Sequence, residues 1–217
     1  MPVTRSTSKH TGTALTSPAP APKPSTRAPG KPRARAPDAE AEAYTFFYGS
    51  KGPLAPLSQW YAAAPFADPS YPGKTFATAE HYMMYRKALL FDPGAADGVL
   101  AARGPKEAKA LGRALRNFDQ GAWDGVADAV VERGNYFKFS QNAAAREVLC
   151  GTRGTVVEAA PRDRVWGIGF GADNALANKR RWGANRLGLA LTRVRERLVA
   201  ERAGGGVGEE AKDKDDD

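Results

Sequence analysis

The sequence predicts an α+β protein, a mostly helical single domain with a small β-sheet, over residues 44–200. Three observations predict it. Apolar residues recur at three- and four-residue spacing in several segments, as the buried stripe of a helix requires. Only two short runs read as strands: "YTFFYG" at 44–49, whose aromatic residues suit a half-buried pleated surface, and "TVVEA" at 155–159. Helical and strand segments do not alternate regularly, which argues against a doubly wound sheet.

Residues 1–43 are rich in Pro, Ala, Ser, Thr and basic side chains, as in "SPAPAPKPSTRAPGKPRARAP". Such a segment cannot bury enough surface to offset its ordering entropy, so a disordered basic tail is expected. It has no apolar h-region of a secretory signal, and its prolines argue against the amphipathic helix of a transit peptide. Past the first strand, residues 50–74 are rich in Gly, Pro and Ser and read mostly as loop. Thr78 is placed to cap a helix over about 79–90, which stops at "FDPG". A short helix is expected over 95–102. A second covers 104–116, with Gly104 as N-cap and Pro105 at the first helical position, where a missing N–H is tolerated.

"WDGVADAVVERGNYFKF" predicts a helix from 123 to about 138, Asn142 caps "AAAREVLC", and Gly151 ends it. Residues 161–183 read mainly as loop. A final amphipathic helix covers 184–202, with Leu187, Leu191, Val194 and Leu198 on one stripe. Residues 201–217, ending in "EEAKDKDDD", read as a disordered acidic tail.

The formal net charge of +8 is uneven: +5 over residues 1–40, +7 over 41–200 and −4 over 201–217. A basic middle suits anionic ligands such as phosphates or nucleic acid, or serves solubility alone. One cysteine, Cys150, excludes an internal disulfide, and two histidines (His10 and His81) argue against a structural zinc site. No run of about 18 apolar residues is present, so no membrane-spanning helix is expected. The expected location is intracellular, cytoplasmic or nuclear.

Chemistry concentrates in "TFATAEHYMMYRKALLF", residues 75–91. At 100° per residue, Tyr82, Tyr85 and Leu89 share one helix face, and Glu80, Met84 and Lys87 share another. Glu80 and Lys87 are separated by roughly 10 Å along the axis, too far for a tight ion pair but able to grip two sides of a small ligand. Spacing alone leaves plainer readings open: an acid that offsets the helix dipole, and a surface lysine. His81 reads as a capping or core residue. The loop 161–183 holds Trp166, Asp163 and several glycines; "GIGFG" is too short for a dinucleotide fingerprint. Trp123 and Asp124 sit at a predicted helix start, and Cys150 reads as packing.

Six motifs in this order, "FFYG…PLSQW", "TAEHYMMYRKALLF", "PKEAKALGRALRNFD", "GNYFKFSQN", "VVEAAPRDRVWGIGF" and "WGANRLGLALTRVRERL", resemble the NADAR (YbiA-like) family from about residue 46 to 198. The resemblance implies an N-glycosidase that hydrolyses a ribosyl C1′–N bond. The implied substrates are ADP-ribose on guanine bases of nucleic acid, or ribosylamino-pyrimidine phosphates of riboflavin synthesis. The alternative is a non-catalytic binder of ADP-ribose or nucleic acid. Glu80 and Lys87 match the family's acid and lysine and are the implied catalytic pair. Lys87 either attacks the sugar or contacts its phosphate. Trp60, Trp123 and Trp166 are candidates to stack the base, and Asp163 and Asn185 to bind ribose or phosphate. Tyr48, Ser58 and Arg86 complete the implied substrate contacts. No cofactor and no metal are expected. Two departures stand out: Gln59 where the family usually has Asn, and Trp182 three residues before Asn185, where some members use four.

Overall fold

A computed structural model of the chain describes residues 43–205; the two predicted tails lie outside these residues, apart from 43 and 201–205. Strand β1 (Tyr44–Phe47) and strand β4 (Thr155–Glu158) form a parallel pair in which Tyr44 faces Thr155 and Phe47 faces Glu158. A parallel pair needs a long crossover, and here it contains most of the domain. A second ladder, β2 (Phe66–Ala67) with β3 (Thr75–Phe76), is antiparallel. The fold is thus mostly helical with little sheet, divided into two two-stranded ladders.

The helices are α1 (Ala79–Phe91), α2 (Ala96–Leu100), α3 (Pro105–Arg113), α4 (Gln120–Gln141), α5 (Ala143–Cys150), α6 (Ala172–Ala175) and α7 (Arg186–Gly205). Helix α1 is central and touches α2, α3 and α4. Its start is set by Thr78, whose side chain accepts the His81 backbone N–H. The Thr78 hydroxyl also meets His81 Nδ1 at 2.7 Å, and Nε2 lies 3.1 Å from Ala102 O, so His81 is a buried structural histidine. The expected apolar stripe is exceeded: Glu80, Met84 and Lys87 are buried along with Tyr82 and Tyr85. A helix enclosed on nearly all sides carries no single wet face.

The long pair α4 and α7 closes the core, with Leu187, Leu191, Val194 and Leu198 buried. Gly134 of α4 lies where a Cβ would stand 2.5 Å from Tyr82 Cδ1, so its missing side chain permits the α1–α4 approach. Beneath Tyr82, Asp68 accepts from the Tyr82 hydroxyl and from Arg133 Nε and Nη2, each at 2.7 Å. On the other side of the β1–β4 pair a smaller cluster of Val157, Ile168 and Ala175 is covered by Tyr44, Phe46 and Trp182. Trp182 stands edge-on to both rings and donates to Ala175 O at 2.8 Å, which makes it a packing residue.

Local boundaries differ from expectation for identifiable reasons. Helix α4 begins at Gln120, before Trp123, because Asp119 accepts the Ala122 N–H and caps it. Asn142 precedes α5, but its amide donates to Lys138 O and Pro65 O, finishing α4 instead of capping α5. The segment 95–102 is a 3-10 turn (Pro93–Ala95) followed by α2. The loop 161–183 contains α6 and a 3-10 turn (Leu176–Arg181). Helix α7 runs through Gly205, overrunning the predicted start of the acidic tail. Among the described residues, no helix is long and apolar enough to cross a membrane.

Candidate active site

A cavity of about 1230 Å³ opens between α1, α3, the loop after β1 and the loop after β4. Glu80, Met83, Met84 and Lys87 form its floor, so the face predicted from spacing does line one site. The Glu80 backbone N–H donates to Gln59 O at 3.0 Å, which ties the helix start to the loop. Its carboxylate Oε2 accepts from Trp60 Nε1 at 3.3 Å. Burial raises the Glu80 pKa, and Lys109, the Trp60 bond and Arg113 oppose that rise.

Lys87 Nζ donates to Gly112 O at 2.9 Å and lies 3.8 Å from the centre of the Phe118 ring. Burial first, and then the Arg113 charge, lowers its pKa. A lysine so placed is a better nucleophile near neutrality than a solvated one. One wall carries Lys106, Lys109 and Arg113 of α3, and another carries Arg162; the Arg164 guanidinium instead donates to Arg181 O at 2.8 Å and lies over Phe170.

Glu158, the last residue of β4, also faces the cavity. Its N–H donates to Asn185 Oδ1 and its carbonyl accepts from Ile168 N, both at 3.0 Å. Burial, with the charges of Asp163 and Glu80, lifts its carboxyl to about 7 against the pull of Lys109. Its Oε2 is buried without a hydrogen-bond partner.

A family model, the NADAR domain, matches residues 46–199. The chain belongs to the NADAR family. It is 38% identical over 164 residues to N-glycosidase R617 of Acanthamoeba polyphaga mimivirus, covering 70% of this chain and 95% of that protein. N-glycosidase YbiA of Escherichia coli (strain K12) is 30% identical over 131 residues, covering 60% of this chain and 75% of its own. The solved structure of E. coli YbiA aligns with a TM-score of 0.61 at 28% identity, covering 75% of this chain and 88% of that one. Protein irg-1 of Caenorhabditis elegans is 40% identical over 129 residues, covering 57% of this chain and 61% of that protein. R617 and YbiA share by name one enzyme class, hydrolysis of N-glycosyl bonds.

Within this NADAR site, Tyr48, Ser58, Trp60, Trp123, Asp163 and Trp166 all line the cavity. Tyr48 stands at the mouth, 59% exposed. Ser58 Oγ accepts the Trp60 N–H at 3.1 Å and so orients the indole. Asp163 Oδ1 accepts the Val165 and Trp166 N–H groups at 2.9 and 2.8 Å, fixing the turn that presents Trp166. Trp166 lies under the Arg186 guanidinium at 4.9 Å.

Two predicted contacts are placed elsewhere. Arg86 donates to the Tyr82 hydroxyl at 2.8 Å and covers the Tyr71 ring, because one residue along a helix is 100° around it. Asn185, at φ 51°, donates to Val156 O at 3.0 Å and accepts from Glu158 N; its amide braces β4 and does not line the cavity.

Glu158 and the α3 cations were not singled out from the sequence. The signal for the cations is Lys106, Lys109 and Arg113 at three- and four-residue spacing. For Glu158 it is a lone charge in an apolar strand. Among the described residues, no group of three or more His, Cys, Asp or Glu side chains is placed to hold a metal ion.

Proposed function

We propose that the protein hydrolyses the C1′–N bond linking ADP-ribose to guanine in nucleic acid. The observation that carries this reading is the burial of Glu80 and Lys87 in one cavity flanked by cationic walls. Lys106, Lys109 and Arg113 on one side and Arg162 on the other suit a ligand with two phosphates. The volume, about 1230 Å³, is at the large end for a small-molecule site, and the exposed Tyr48 and Trp60 at the mouth offer rings on which a base can stack.

Cleavage at an anomeric carbon builds positive charge on C1′. Glu80 supplies the carboxylate that stabilises it, held by Trp60. Lys87, with its proton affinity lowered, bonds to C1′ as the C1′–N bond breaks; the adduct opens, with O4′ taking a proton, to a Schiff base, and water adds to it and frees the amine. Phe118, Trp123 and Met84 keep that amine away from bulk solvent, which favours nucleophilic chemistry over a phosphate contact.

The test is a side-by-side incubation with guanine-ADP-ribosylated DNA and a ribosylamino-pyrimidine phosphate. Release of ADP-ribose from the first, much faster than base release from the second, supports the reading. The reverse order assigns the metabolite as substrate. Tight binding with no product from either makes the protein a binding module. Borohydride should trap a sugar adduct in wild-type protein and none in Lys87→Ala; trapping in both variants removes Lys87 as nucleophile.

A further inference from the structure

The reaction proposed above leaves one part unfilled: the leaving nitrogen must take up a proton. We propose that Glu158 is the general acid that delivers it. This rests on the N-glycosidase reading of the same cavity.

Four acids line the cavity, and three are occupied. Glu80 accepts from Trp60, and Asp163 holds two backbone N–H groups of its own turn. Asp124 pairs with Arg186 at 3.1 Å. Glu158 alone of the four has a buried oxygen with no hydrogen-bond partner. A buried carboxyl oxygen in that condition is costly unless a proton or a ligand meets it.

The backbone of Glu158 is rigid. It is held by Asn185 and Ile168 on either side of the peptide, and a Cβ at Gly167 would stand 2.8 Å from its carbonyl oxygen. The side chain therefore points from a fixed strand end, the kind of support a proton donor needs. The charges around it come from three elements: Glu80 on α1, Asp163 on the loop and Lys109 on α3. Two repel a carboxylate and one attracts it. With burial they leave the carboxyl titrating at about 7, where it still carries its proton and can release it.

The step balances. As Lys87 Nζ bonds to C1′ and the C1′–N bond breaks, the electron pair of that bond collapses onto the leaving nitrogen, which takes the proton from the Glu158 carboxyl. Glu158 is left as a carboxylate. The water that adds at C1′ gives its oxygen to the sugar and returns a proton to Glu158. One water is consumed per turnover and the enzyme is restored.

The experiment compares two substrates of one anomeric configuration: guanine-linked ADP-ribose, and an ADP-ribosyl pyridinium whose base departs neutral without taking a proton. In wild-type protein the guanine reaction should lose rate as pH rises through about 7, and the pyridinium reaction should not. Glu158→Gln should lose about 10²–10⁴-fold in kcat on guanine and less than about tenfold on the pyridinium. The wild-type comparison needs no variant to fold. Equal impairment of Glu158→Gln on both substrates, full activity on guanine, or the same alkaline limb for both substrates in wild type overturns the assignment while the N-glycosidase reading stands. Wild-type protein inert toward guanine- and pyrimidine-linked substrates alike overturns that reading, and this assignment with it.

Discussion

Lys138 Nζ, wholly buried, donates to the carbonyl oxygen of Ser58 at 2.8 Å. That carbonyl lies two residues before Trp60, whose indole meets Glu80. One turn earlier in α4, Asn135 donates to Gln59 Oε1 at 2.8 Å. Two buried side chains of one helix thus hold the loop that sets the height of Trp60 over the cavity floor.

Lys138 makes stability depend on pH. Burial lowers its pKa from the ordinary 10.5 to about 7. Between those values the unfolded chain binds a proton that the folded chain does not, so folding stability rises with pH across that window and is level below it. Urea midpoints of wild type at pH 7, 8.5 and 10 should climb more steeply than those of Lys138→Met. Parallel slopes for the two proteins would show that Lys138 is not the titrating group.

Trp60→Phe removes the donor to Glu80 and keeps a ring. Loss of a hydrogen bond to a charged group is worth about 1.5–3 kcal/mol, so kcat should fall roughly tenfold to a hundredfold. The acidic limb of the pH–rate profile should move to higher pH, because the Trp60 bond holds the Glu80 pKa down. An unmoved limb would mean the indole serves the substrate alone.

Glu80→Gln should bind substrate and turn it over about 10²–10⁴-fold more slowly. Calorimetry of binding and quantified product release check the two halves separately. Retained turnover would remove Glu80 from the chemistry.

Gly134→Ala tests the α1–α4 contact. The added methyl would stand 2.5 Å from Tyr82 Cδ1, inside any normal contact distance. Overpacking of this kind costs about 1–3 kcal/mol, read as a lower thermal midpoint. An unchanged midpoint would show that the two helices part easily.

What could be read from the sequence was what neighbours along the chain decide. The Thr78 cap, the extent of α1 and the common face of Glu80, Met84 and Lys87 follow from helical geometry over a few residues. The two-residue strands Phe66–Ala67 and Thr75–Phe76 have no period to detect, because their ladder is set by tertiary contact. Glu158 draws its character from Glu80, Asp163 and Lys109 on three separate elements, so nothing beside it in the chain announces it. Arg86 misled for the opposite reason: it adjoins Lys87 in sequence but faces Tyr71 and Tyr82.

The β1–β4 pairing has a consequence for the protein's birth. Thr45 of β1 meets Arg153, just before β4, across 108 residues of chain, and the paired strand β4 carries Glu158 to the cavity. On the ribosome the first strand emerges long before its partner exists. Even with α1 and its acid already made, a nascent chain still lacks the strand end that bears Glu158 and the loop that bears Asp163. On the proposed mechanism catalytic competence is therefore a late event in synthesis, and chains that end before β4 carry the acid and lysine of α1 without the proton donor.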